Sequence, residues 1–522
     1  MNTQQLDHTY IANTYARYPV TIVRGKGSLV WDENGKEYID LATGIAVNSF
    51  GVSDPAWVRA VTEQLCTVQH TSNLYFTAPD AQLAQLLCEK TGMKKVFFSN
   101  SGAEANECAI KAARKYAAEH KGPEYHTIIT LKNSFHGRTI TTLAATGQDV
   151  FHHDFLPLTE GFAYAEANDL DDLKAQVAAH KCAAIMIEVV QGEGGVIPLT
   201  QEFVKGAAQL AAAQDILLIC DEVQTGNGRT GKLYGYMHYG VKPDIVSTAK
   251  GLGGGLPLGA TLLGEKVQNV LTPGSHGSTF GGNPVCCAGA LSILHRLDGP
   301  LLQSVQEKSD FIVNTLTGAP GVKSVTGLGL MLGVETVRPV ADVICACAEQ
   351  GVLVISAKNK VRLLPALNIP MAQLEQAIGV LKAVCAEKGY ALSEIRRPYA
   401  SLLFLTAGED FSLQMDGRRY SCKLVCARRR GTPMTVRENG VCAFEHTIRL
   451  TKIELFTYET QIAFGYEAAD KKVLIVNPVP KVLQKDEQTK TVPLDNGDTV
   501  GGSIVYAATG FLNALGRGRL GR

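Results

Sequence analysis

The chain has 522 residues, which is enough for two or three domains, and its 50 basic and 50 acidic side chains cancel. This balance excludes a global field that would draw the protein to nucleic acid or to a charged membrane. No secretory signal is visible, no apolar run is long enough to cross a bilayer, and the 13 cysteines follow no disulfide framework, so we expect a cytoplasmic protein without membrane or nucleic-acid partners.

The first 60 residues predict a small β meander. Alternating segments at residues 21–24 and 28–32 flank two glycines, and the dipeptide Asn34-Gly35 is typical of a tight hairpin turn. Apolar residues at helical spacing then predict helices over residues 55–70 and 79–91.

From about residue 94 onward, short apolar strands alternate with helices. Helices are predicted over residues 104–120 and 201–213, and strands over residues 95–98, 127–131, 184–187, 216–219 and 245–247. Unbroken apolar strands separated by helices are typical of a mostly parallel sheet that is covered on both faces. Ligands of such sheets lie at the carboxyl ends of the strands. The sequence therefore predicts an α/β fold with its site at that edge.

Two further regions come after this sheet. Mixed helices and strands up to about residue 390 predict a second, smaller α/β domain. Beyond it, the dipeptides Asp416-Gly417, Asn439-Gly440 and Asn496-Gly497 lie between β-rich runs and predict hairpins. We therefore divide the chain into an N-terminal segment that joins the small domain (1–60), a large ligand-binding domain (61–275), the small domain (276–396) and an extra β-rich module (397–522).

One lysine lies at the start of a glycine-dense loop. Lys250 comes after the predicted strand 245–247, and the glycines between residues 251 and 255 allow the backbone to crowd around its amine. An amine in a dry, tightly packed site can have a lowered pKa and become nucleophilic toward carbonyl groups. Taken alone, such a stretch is more often a lysine that merely opens a flexible loop, so its interpretation depends on the rest of the chain.

Two other strand ends carry polar groups. Ser101, Gly102 and Ala103 lie between a predicted strand and a helix, where backbone N–H groups and a hydroxyl can bind an anion, although the same loop could be a capped helix without a ligand. Asp221 ends another strand, and a buried carboxylate there needs a cation. A protonated pyridine nitrogen would be such a partner, and so would an arginine in a structural ion pair.

An aromatic ring and two arginines complete the candidates. Phe135 could stack on a planar cofactor, and Arg138 could bind a carboxylate with both arms of its guanidinium. Arg362, in the predicted small domain, is a second candidate for carboxylate binding, and Glu193 could pair with it. Alternatively, each arginine has only a surface or structural role.

One motif points to a different class of function. Residues 226–232 match the first seven positions of the P-loop of nucleotide-hydrolysing enzymes, and an acidic strand precedes them. Position 233 is Leu, where magnesium binding needs Ser or Thr, and the acidic pair precedes the loop instead of coming after it. We therefore regard nucleotide hydrolysis as the weaker alternative. No His or Cys spacing predicts a metal site.

In this order, the motifs resemble the class III pyridoxal-phosphate aminotransferases, which have fold type I. The resemblance covers about residues 10–390, is strongest to the acetylornithine-using members, and has no counterpart for the segment after residue 396. It depends on residues 99–107, 135–139, 188–195, 221–233, 243–260 and 278–284, with residues 41–48 and 70–76 in support.

The resemblance implies pyridoxal 5′-phosphate as the cofactor and a role for each candidate residue. Lys250 would bond it covalently, Asp221 would keep its pyridine nitrogen protonated, and Phe135 would stack on the ring. The other implied cofactor contacts are Ser101, Gly102, Ala103, Glu222, Val223, Gln224 and Thr279, the last from a neighbouring subunit of a homodimer. The implied substrate contacts are Arg138, Ser278, Glu193 and Arg362.

The resemblance also implies a reaction. The side-chain amino group of N2-acetylornithine would pass to 2-oxoglutarate, giving N-acetylglutamate 5-semialdehyde and glutamate, a step of arginine biosynthesis. Arg362 would pair with Glu193 while the donor is bound and would be freed for the second carboxylate of glutamate. The donor itself stays open, because ornithine, succinylornithine, N-succinyl-diaminopimelate or 4-aminobutyrate would require only one or two different pocket residues.

Overall fold

The computed structural model describes residues 2–387 and, beyond them, strands between residues 410 and 501. The chain divides into two units, Met1–Glu387 and Lys388–Arg522. The N-terminal part of the first unit contains α1 (Thr3–Tyr10) and three short strands, β1 (Ile22–Lys26), β2 (Leu29–Asp32) and β3 (Glu37–Asp40). These strands pair antiparallel in chain order, so the predicted meander is confirmed.

The central part of the first unit is built on a seven-stranded sheet. Its helices are α2 (Thr43–Ala46), α3 (Pro55–Thr67), α4 (Ala78–Thr91), α5 (Gly102–His120), α6 (Ile140–Ala145), α7 (Leu170–Ala179) and α8 (Gln201–Ala213). Its strands are β4 (Lys95–Ser99), β5 (Thr127–Leu131), β6 (Phe162–Ala165), β7 (Cys182–Ile187), β8 (Val190–Gln191), β9 (Ile197–Pro198), β10 (Leu217–Asp221), β11 (Ile245–Thr248) and β12 (Gly259–Leu263). Short 3-10 turns cover Asp149–Phe151, Gly235–His238 and Lys250–Leu252.

The large sheet is mixed, with the order β4-β12-β11-β10-β7-β5-β6. Strands β11, β10, β7, β5 and β6 are parallel to one another, whereas β12 runs antiparallel to both β11 and β4. Strands β5, β7, β10, β11 and β12 are buried at every position, because helices cover both faces. This double burial explains why their sequences are unbroken apolar runs.

The five predicted strands of this sheet are confirmed, but β6 and β12 were not predicted. Strand β12 comes directly after the glycine-dense loop and begins with a glycine, which weakens its sequence signal. A Cβ atom on Gly259 would lie 2.3 Å from the carbonyl oxygen of Ser101, so the close approach of the two segments requires glycine there. The glycine that hides the strand in the sequence therefore allows it to pack beside the loop after β4.

The rest of the first unit covers the residues for which a smaller α/β domain was predicted. It contains α9 (Pro284–Leu294), α10 (Gly299–Leu316), β13 (Val322–Leu328), β14 (Met331–Thr336), α11 (Val340–Glu349), β15 (Val352–Leu353), β16 (Ile355–Ala357), β17 (Lys360–Leu363) and α12 (Met371–Ala386). Strands β13, β14, β17 and β16 form an antiparallel sheet in that order. Among the described residues no single helix is long and apolar enough to cross a membrane, and α9 and α10 reach that length only together, across a 74° bend.

The apolar run at residues 352–355 is divided between two strands. Strand β15 pairs parallel with β3 of the N-terminal meander, whereas β16 pairs with β17 of the small sheet. The chain passes from one sheet to the other at Val354, which is buried. A continuous apolar run therefore hides a change of partner that only the tertiary structure reveals.

The second unit is described only by its strands: β18 (Asp410–Met415), β19 (Arg418–Leu424), β20 (Ala427–Arg429), β21 (Val436–Glu438), β22 (Val441–Phe444), β23 (Tyr458–Ala468), β24 (Lys471–Pro480), β25 (Thr491–Pro493) and β26 (Thr499–Gly501). They pair as β18-β19-β21-β22, β20-β23-β24 and β25-β26. The dipeptides Asp416-Gly417, Asn439-Gly440 and Asn496-Gly497, for which hairpin turns were predicted, lie outside the described residues.

Candidate active site

A cavity of about 440 Å³ lies at the carboxyl ends of the large sheet. Its lining residues come after β4, β5, β7, β10 and β11, which is where parallel sheets bind ligands. It brings together nine of the residues predicted from the sequence: Ser101, Gly102, Ala103, Phe135, Arg138, Asp221, Val223, Gln224 and Lys250. The motifs, which are far apart in the chain, therefore meet in one place.

Lys250 projects into this cavity from a strained backbone position. Its φ angle is +44°, in the left-handed region that costs a non-glycine residue about 1–3 kcal/mol. Asn227 supports the strained segment, because its side-chain amide donates to the carbonyl of Ala249 (3.1 Å) and the hydroxyl of Thr248 (3.0 Å). Burial lowers the pKa of the Lys250 amine, and nearby carboxylates, first among them Glu193, only partly oppose this shift. The amine is therefore easier to deprotonate than an ordinary lysine.

Asp221 is buried at the end of β10 and is held by three hydrogen-bond donors. Its Oδ2 accepts hydrogen bonds from Asn106 Nδ2 (2.7 Å) and His136 Nδ1 (2.8 Å), and its Oδ1 accepts from the Val223 N–H (3.0 Å). No arginine or lysine within residues 2–387 forms an ion pair with it, and its ionisable partner is His136. The carboxylate is oriented and can still bind a cationic ligand in the cavity.

The sequence did not predict the roles of three residues, His136, Asn106 and Glu188. His136 and Asn106 lie inside motifs that carry the family resemblance, next to Phe135 and on the first turns of α5, but nothing in their spacing pairs them with Asp221. Glu188 comes directly after β7, lines the cavity and accepts a hydrogen bond from the Phe135 N–H (3.3 Å). Burial, and then the charge of Asp221, raise the pKa of Glu188 well above its ordinary value. The Glu188 carboxyl therefore supports the Phe135 loop.

The start of α5 forms one wall of the cavity. Ser101 is the N-cap, and its Oγ accepts from the Glu104 N–H (3.2 Å), while Gly102 and Ala103 occupy the first turn, whose N–H groups have no partner within a helix. A Cβ atom on Gly102 would lie 2.6 Å from Cγ1 of Val223, so glycine keeps the helix start close to β10. A helix start with free N–H groups favours an anion.

Arg362 and Glu193 form an ion pair beside the cavity. The distance from Arg362 Nη1 to Glu193 Oε1 is 2.6 Å, and Nη2 is 3.3 Å from Oε2. Gln224 completes the cluster, because its Oε1 accepts from Arg362 (3.1 Å) and its Nε2 donates to Glu193 (3.4 Å). Burial tends to raise the pKa of Glu193, but the charge and hydrogen bonds of Arg362 outweigh it and the pKa is lowered. The Glu193 carboxylate is therefore ionised at neutral pH.

Arg138 lies at the exposed edge of the cavity. Its guanidinium stacks on Phe151 at 3.9 Å and lies 5.3 Å from the ring of Phe135. Within residues 2–387, no carboxylate lies within ion-pair distance of it. An exposed guanidinium that is oriented by two rings and carries no acidic partner can bind a substrate carboxylate.

Besides Arg362 and Glu193, three predicted residues do not line the cavity. Glu222 points away from it, and its carboxylate accepts from the N–H groups of Gly235 and Tyr236 (both 2.7 Å) and from the hydroxyl of Thr225 (2.6 Å). The assignment of Glu222 to the cofactor is therefore corrected to a structural role, because alternate residues at a strand end face opposite sides. Ser278 and Thr279 lie outside the cavity of their own chain.

The P-loop-like segment has a different geometry from a phosphate-binding loop. No α-helix comes directly after residues 226–232, so the helix start that would bind a phosphate is missing from this described part of the chain. Arg229 and Thr230 are buried, and Arg229 donates to two backbone carbonyls of the small α/β region. The resemblance of this segment to a P-loop is coincidental.

Comparison with known proteins identifies the family. The family model described as aminotransferase class-III matches residues 10–385. The chain belongs to the class III aminotransferases. An acetylornithine aminotransferase from Haemophilus ducreyi is 52% identical over 386 residues, which cover 74% of this chain and 98% of that protein. A succinylornithine transaminase from Salmonella paratyphi A is 44% identical over 386 residues, covering 72% of this chain and 94% of that protein.

Solved structures of aminotransferases have the same fold. The ornithine aminotransferase from Toxoplasma gondii matches with a TM-score of 0.71 and 33% identity, over 73% of this chain and 94% of that chain. The N-acetylornithine aminotransferase from Stenotrophomonas maltophilia matches with a TM-score of 0.64 and 36% identity, over 73% of this chain and 98% of that chain. In both cases about a quarter of this chain has no counterpart.

Class III aminotransferases use pyridoxal 5′-phosphate, and the cavity of this aminotransferase fits that group. The α5 start at Gly102 and Ala103 suits a phosphate, the buried Asp221 carboxylate suits a protonated ring nitrogen, and the Lys250 amine suits an aldehyde. Phe135 and Val223 supply apolar surface for a planar ring. The donor set therefore matches an anionic, aromatic aldehyde with a basic nitrogen.

Proposed function

We propose that this aminotransferase moves the side-chain amino group of N2-acetylornithine to 2-oxoglutarate, giving N-acetylglutamate 5-semialdehyde and glutamate, as a step of arginine biosynthesis. The observation that carries the proposal is the Arg362–Glu193 pair (2.6 Å) at the cavity. While paired, Arg362 is neutralised, which suits a reacting carbon that bears no carboxylate. When Glu193 moves away, Arg362 is free to bind the carboxylate that glutamate carries on its reacting carbon.

The reaction needs the cofactor and this chain's own acid–base groups. When bound, pyridoxal phosphate supplies a carbonyl group for the amino group and a ring that withdraws electrons from the substrate carbon. Lys250 Nζ takes the proton from that carbon and returns it, a task for which a lowered pKa is suited. Asp221, fixed by His136 and Asn106, keeps the ring nitrogen protonated. Phe135 orients the ring and excludes water from one of its faces.

Arg138 and Arg362 each bind a different carboxylate. Arg138, at the exposed edge, binds the carboxylate of the donor that is remote from the reacting amine. Arg362 donates to Gln224, which lines the same cavity as Lys250, so Arg362 is near the reacting centre and binds a carboxylate attached to the reacting carbon. An acyl group on the second nitrogen of the donor removes a positive charge, which suits a cavity wall whose remaining groups are largely apolar.

Succinylornithine and ornithine are the second candidates for the donor. The Salmonella succinylornithine transaminase is 44% identical, and the Toxoplasma ornithine aminotransferase has the same fold at 33% identity. The stronger likeness to acetylornithine aminotransferases, 52% for the protein from Haemophilus ducreyi, favours the acetylated donor.

We also propose that the enzyme is a homodimer with shared sites. Leu74, Tyr75, Phe76 and Phe280 are all largely exposed in the single chain, and Phe280 is the neighbour of Thr279. Clustered apolar side chains of this kind favour association with a second copy. Thr279 and Ser278 would then contribute to the partner's cavity instead of their own.

We further propose that residues 397–522 form a β-rich module, in addition to the N-terminal segment at residues 1–60 and the domains at residues 61–275 and 276–396. The paired strands between residues 410 and 501 support this division, and so does the end of the family match at residue 385. The ten cysteines of the first unit are free thiols, which supports a cytoplasmic location.

Initial rates with a panel of donors test the donor assignment. With 2-oxoglutarate as the acceptor, we expect kcat/KM for N2-acetylornithine to exceed that for ornithine, succinylornithine and 4-aminobutyrate. A higher kcat/KM for succinylornithine or ornithine would replace the proposed donor while retaining the aminotransferase. No turnover with any ω-amine would refute the proposed reaction.

A further inference from the structure

The P-loop-like segment contains a buried cation that the proposed reaction does not use. Arg229 is among the largest fully buried side chains of the protein, and no carboxylate within residues 2–387 forms an ion pair with it. Burial lowers its pKa to about 9, which still leaves the guanidinium charged at neutral pH. Burying a charge without an ion-pair partner costs free energy, so we expect Arg229 to have a role other than packing.

The hydrogen bonds of Arg229 join two strands of the small sheet. Its Nη1 donates to the carbonyl of Leu330 (3.0 Å) and to the carbonyl of Pro365 (2.5 Å). Its own carbonyl accepts from the Leu330 N–H (2.9 Å), so Leu330 is held from both sides. A Cβ atom on Gly329 would lie 2.5 Å from the backbone of Thr230, which shows how closely the two segments approach.

These carbonyls lie at the ends of the strands that carry Arg362. Leu330 immediately precedes β14, and Pro365 lies two residues after the end of β17. The two strands are paired, with Leu332 opposite Leu363 and Gly333 opposite Arg362. One guanidinium therefore fixes both strands only three residues from the carboxylate-binding Arg362.

The same loop also contacts the segment that bears the reactive amine. Asn227, two residues before Arg229, donates to the carbonyl of Ala249, the residue that precedes Lys250 (3.1 Å). Residues 227–229 therefore connect the backbone at Lys250 with the strand of Arg362. The separation between the Lys250 amine and the Arg362 guanidinium therefore depends on this connection.

We propose that Arg229 is a positioning residue for Arg362, and that it sets the efficiency of the glutamate/2-oxoglutarate half of the reaction but not of the donor half. The inference rests on the role of Arg362 in the proposed function. The donor's reacting carbon bears no carboxylate and needs Arg362 only in its pair with Glu193. Glutamate needs the guanidinium at a defined distance from Lys250, so displacement of β17 affects glutamate selectively.

Arg229→Lys tests this inference, since the lysine side chain is one bond shorter and its ammonium nitrogen cannot reach the position from which Nη1 bonds both carbonyls. Single-turnover kinetics of the holoenzyme would give kcat/KM separately for glutamate and for N2-acetylornithine. We expect the glutamate value to fall about tenfold and the acetylornithine value to change by less than about twofold, since loss of one charge-assisted hydrogen bond corresponds to such a factor. An equal fall of both values, or no fall of either, would overturn the proposal.

Two other variants calibrate the result. Arg114→Lys is the matched control, because Arg114 also donates only to carbonyls, those of His126, Glu160 and Gly161, and lies away from the small sheet. Its ratio of glutamate to acetylornithine efficiency should equal that of the wild type. Arg362→Lys should lower the same ratio at least as far as Arg229→Lys. An unchanged ratio in Arg362→Lys would refute the proposed role of Arg362 itself, whatever the Arg229 variants show.

The ratio is measured within one preparation, so a partly unfolded variant does not distort it. Arg229→Gln, which retains one donor, provides a second variant if the lysine variant does not fold. Calorimetric titration of 2-oxoglutarate into the enzyme form that has no amino group to transfer adds a readout without turnover. We expect about tenfold weaker binding in either Arg229 variant, and unchanged binding would contradict the inference.

Discussion

At the residue scale, the position of Lys250 explains most of the proposed chemistry. It combines a left-handed backbone, a lowered pKa and a cavity whose other walls suit an anion, a planar ring and a pyridine nitrogen. Lys250, Asp221 and the Ser101 loop were predicted as site residues from their positions after strands together with the family resemblance, and all of them line the cavity. It could not identify His136, Asn106 and Glu188 as their partners, since hydrogen bonds across 30 to 115 residues depend on how strands order in the sheet.

Replacement of Lys250 by alanine should abolish turnover while the fold is retained, because no other amine of the described residues lines the cavity. Turnover would be measured together with circular dichroism. Lys232→Ala, which removes an exposed lysine of the P-loop-like segment, is the control and should be fully active. Near-normal turnover of the Lys250 variant would contradict the assignment.

The lowered pKa of Lys250 predicts the pH dependence of cofactor uptake. Only the uncharged amine attacks an aldehyde, so the rate at which the apoenzyme binds pyridoxal phosphate should rise with pH and level off below 10.5, the ordinary value for lysine. Stopped-flow absorbance at several pH values measures this rate. A rate that keeps rising through pH 10.5 would show that burial does not lower the pKa.

Glu193→Gln should shift the balance between the two substrates. Without the carboxylate, Arg362 is unpaired, so glutamate binds without displacing Glu193 and the donor meets a free cation. We expect kcat/KM to rise for glutamate and to fall for N2-acetylornithine, each about fivefold, or ~1 kcal/mol. The control is Glu335→Gln. Glu335 lies on β14 and is the ion-pair partner of Lys323, and its replacement should change neither kcat/KM value. Parallel changes for both substrates would argue against the pair as a switch.

At the element scale, the ends of β10 and α5 decide where the cofactor groups lie. Alternation at the end of β10 turns Asp221 into the cavity and Glu222 away from it, where two N–H groups and a hydroxyl surround the carboxylate. Family resemblance alone grouped the two neighbours together, and the strand geometry separates them. In the same way, a continuous apolar run at residues 352–355 concealed two strands in different sheets.

Glu222→Gln should destabilise the protein, because one side-chain NH2 would then face a backbone N–H of Gly235 or Tyr236. Leaving buried donors unsatisfied costs about 1–3 kcal/mol. Urea-induced unfolding of the two proteins at the same pH measures the difference. Glu166→Gln, which removes an exposed partner of Lys132, should cost less than about 1 kcal/mol. Equal stability of Glu222→Gln and the wild type would refute the structural role of Glu222.

At the scale of the whole molecule, the family match and the second unit divide the chain. The match ends at residue 385, and the described residues that line the cavity all precede that point. The composition and hairpin signals of residues 397–522 indicated a change of structure, but no motif there indicated a function. The sequence therefore located the boundary of the aminotransferase part better than it explained the function of residues 397–522.

A chain that ends at residue 396 should retain the full kcat and remain a dimer, because the described residues that line the cavity all precede that point. Steady-state kinetics and light scattering would be compared with those of the full chain. Loss of activity or of the dimer on truncation would show that the segment is an integral part of the enzyme.

The near-visible absorption spectrum of the purified protein, loaded with pyridoxal phosphate, tests the central claim most directly. A bound cofactor gives a band that disappears when its carbonyl takes up an amino group. We predict that N2-acetylornithine removes the band and that 2-oxoglutarate restores it. A band that N2-acetylornithine leaves unchanged but another amine removes would contradict the proposed donor. The lack of any band after loading would contradict the cofactor site at Lys250.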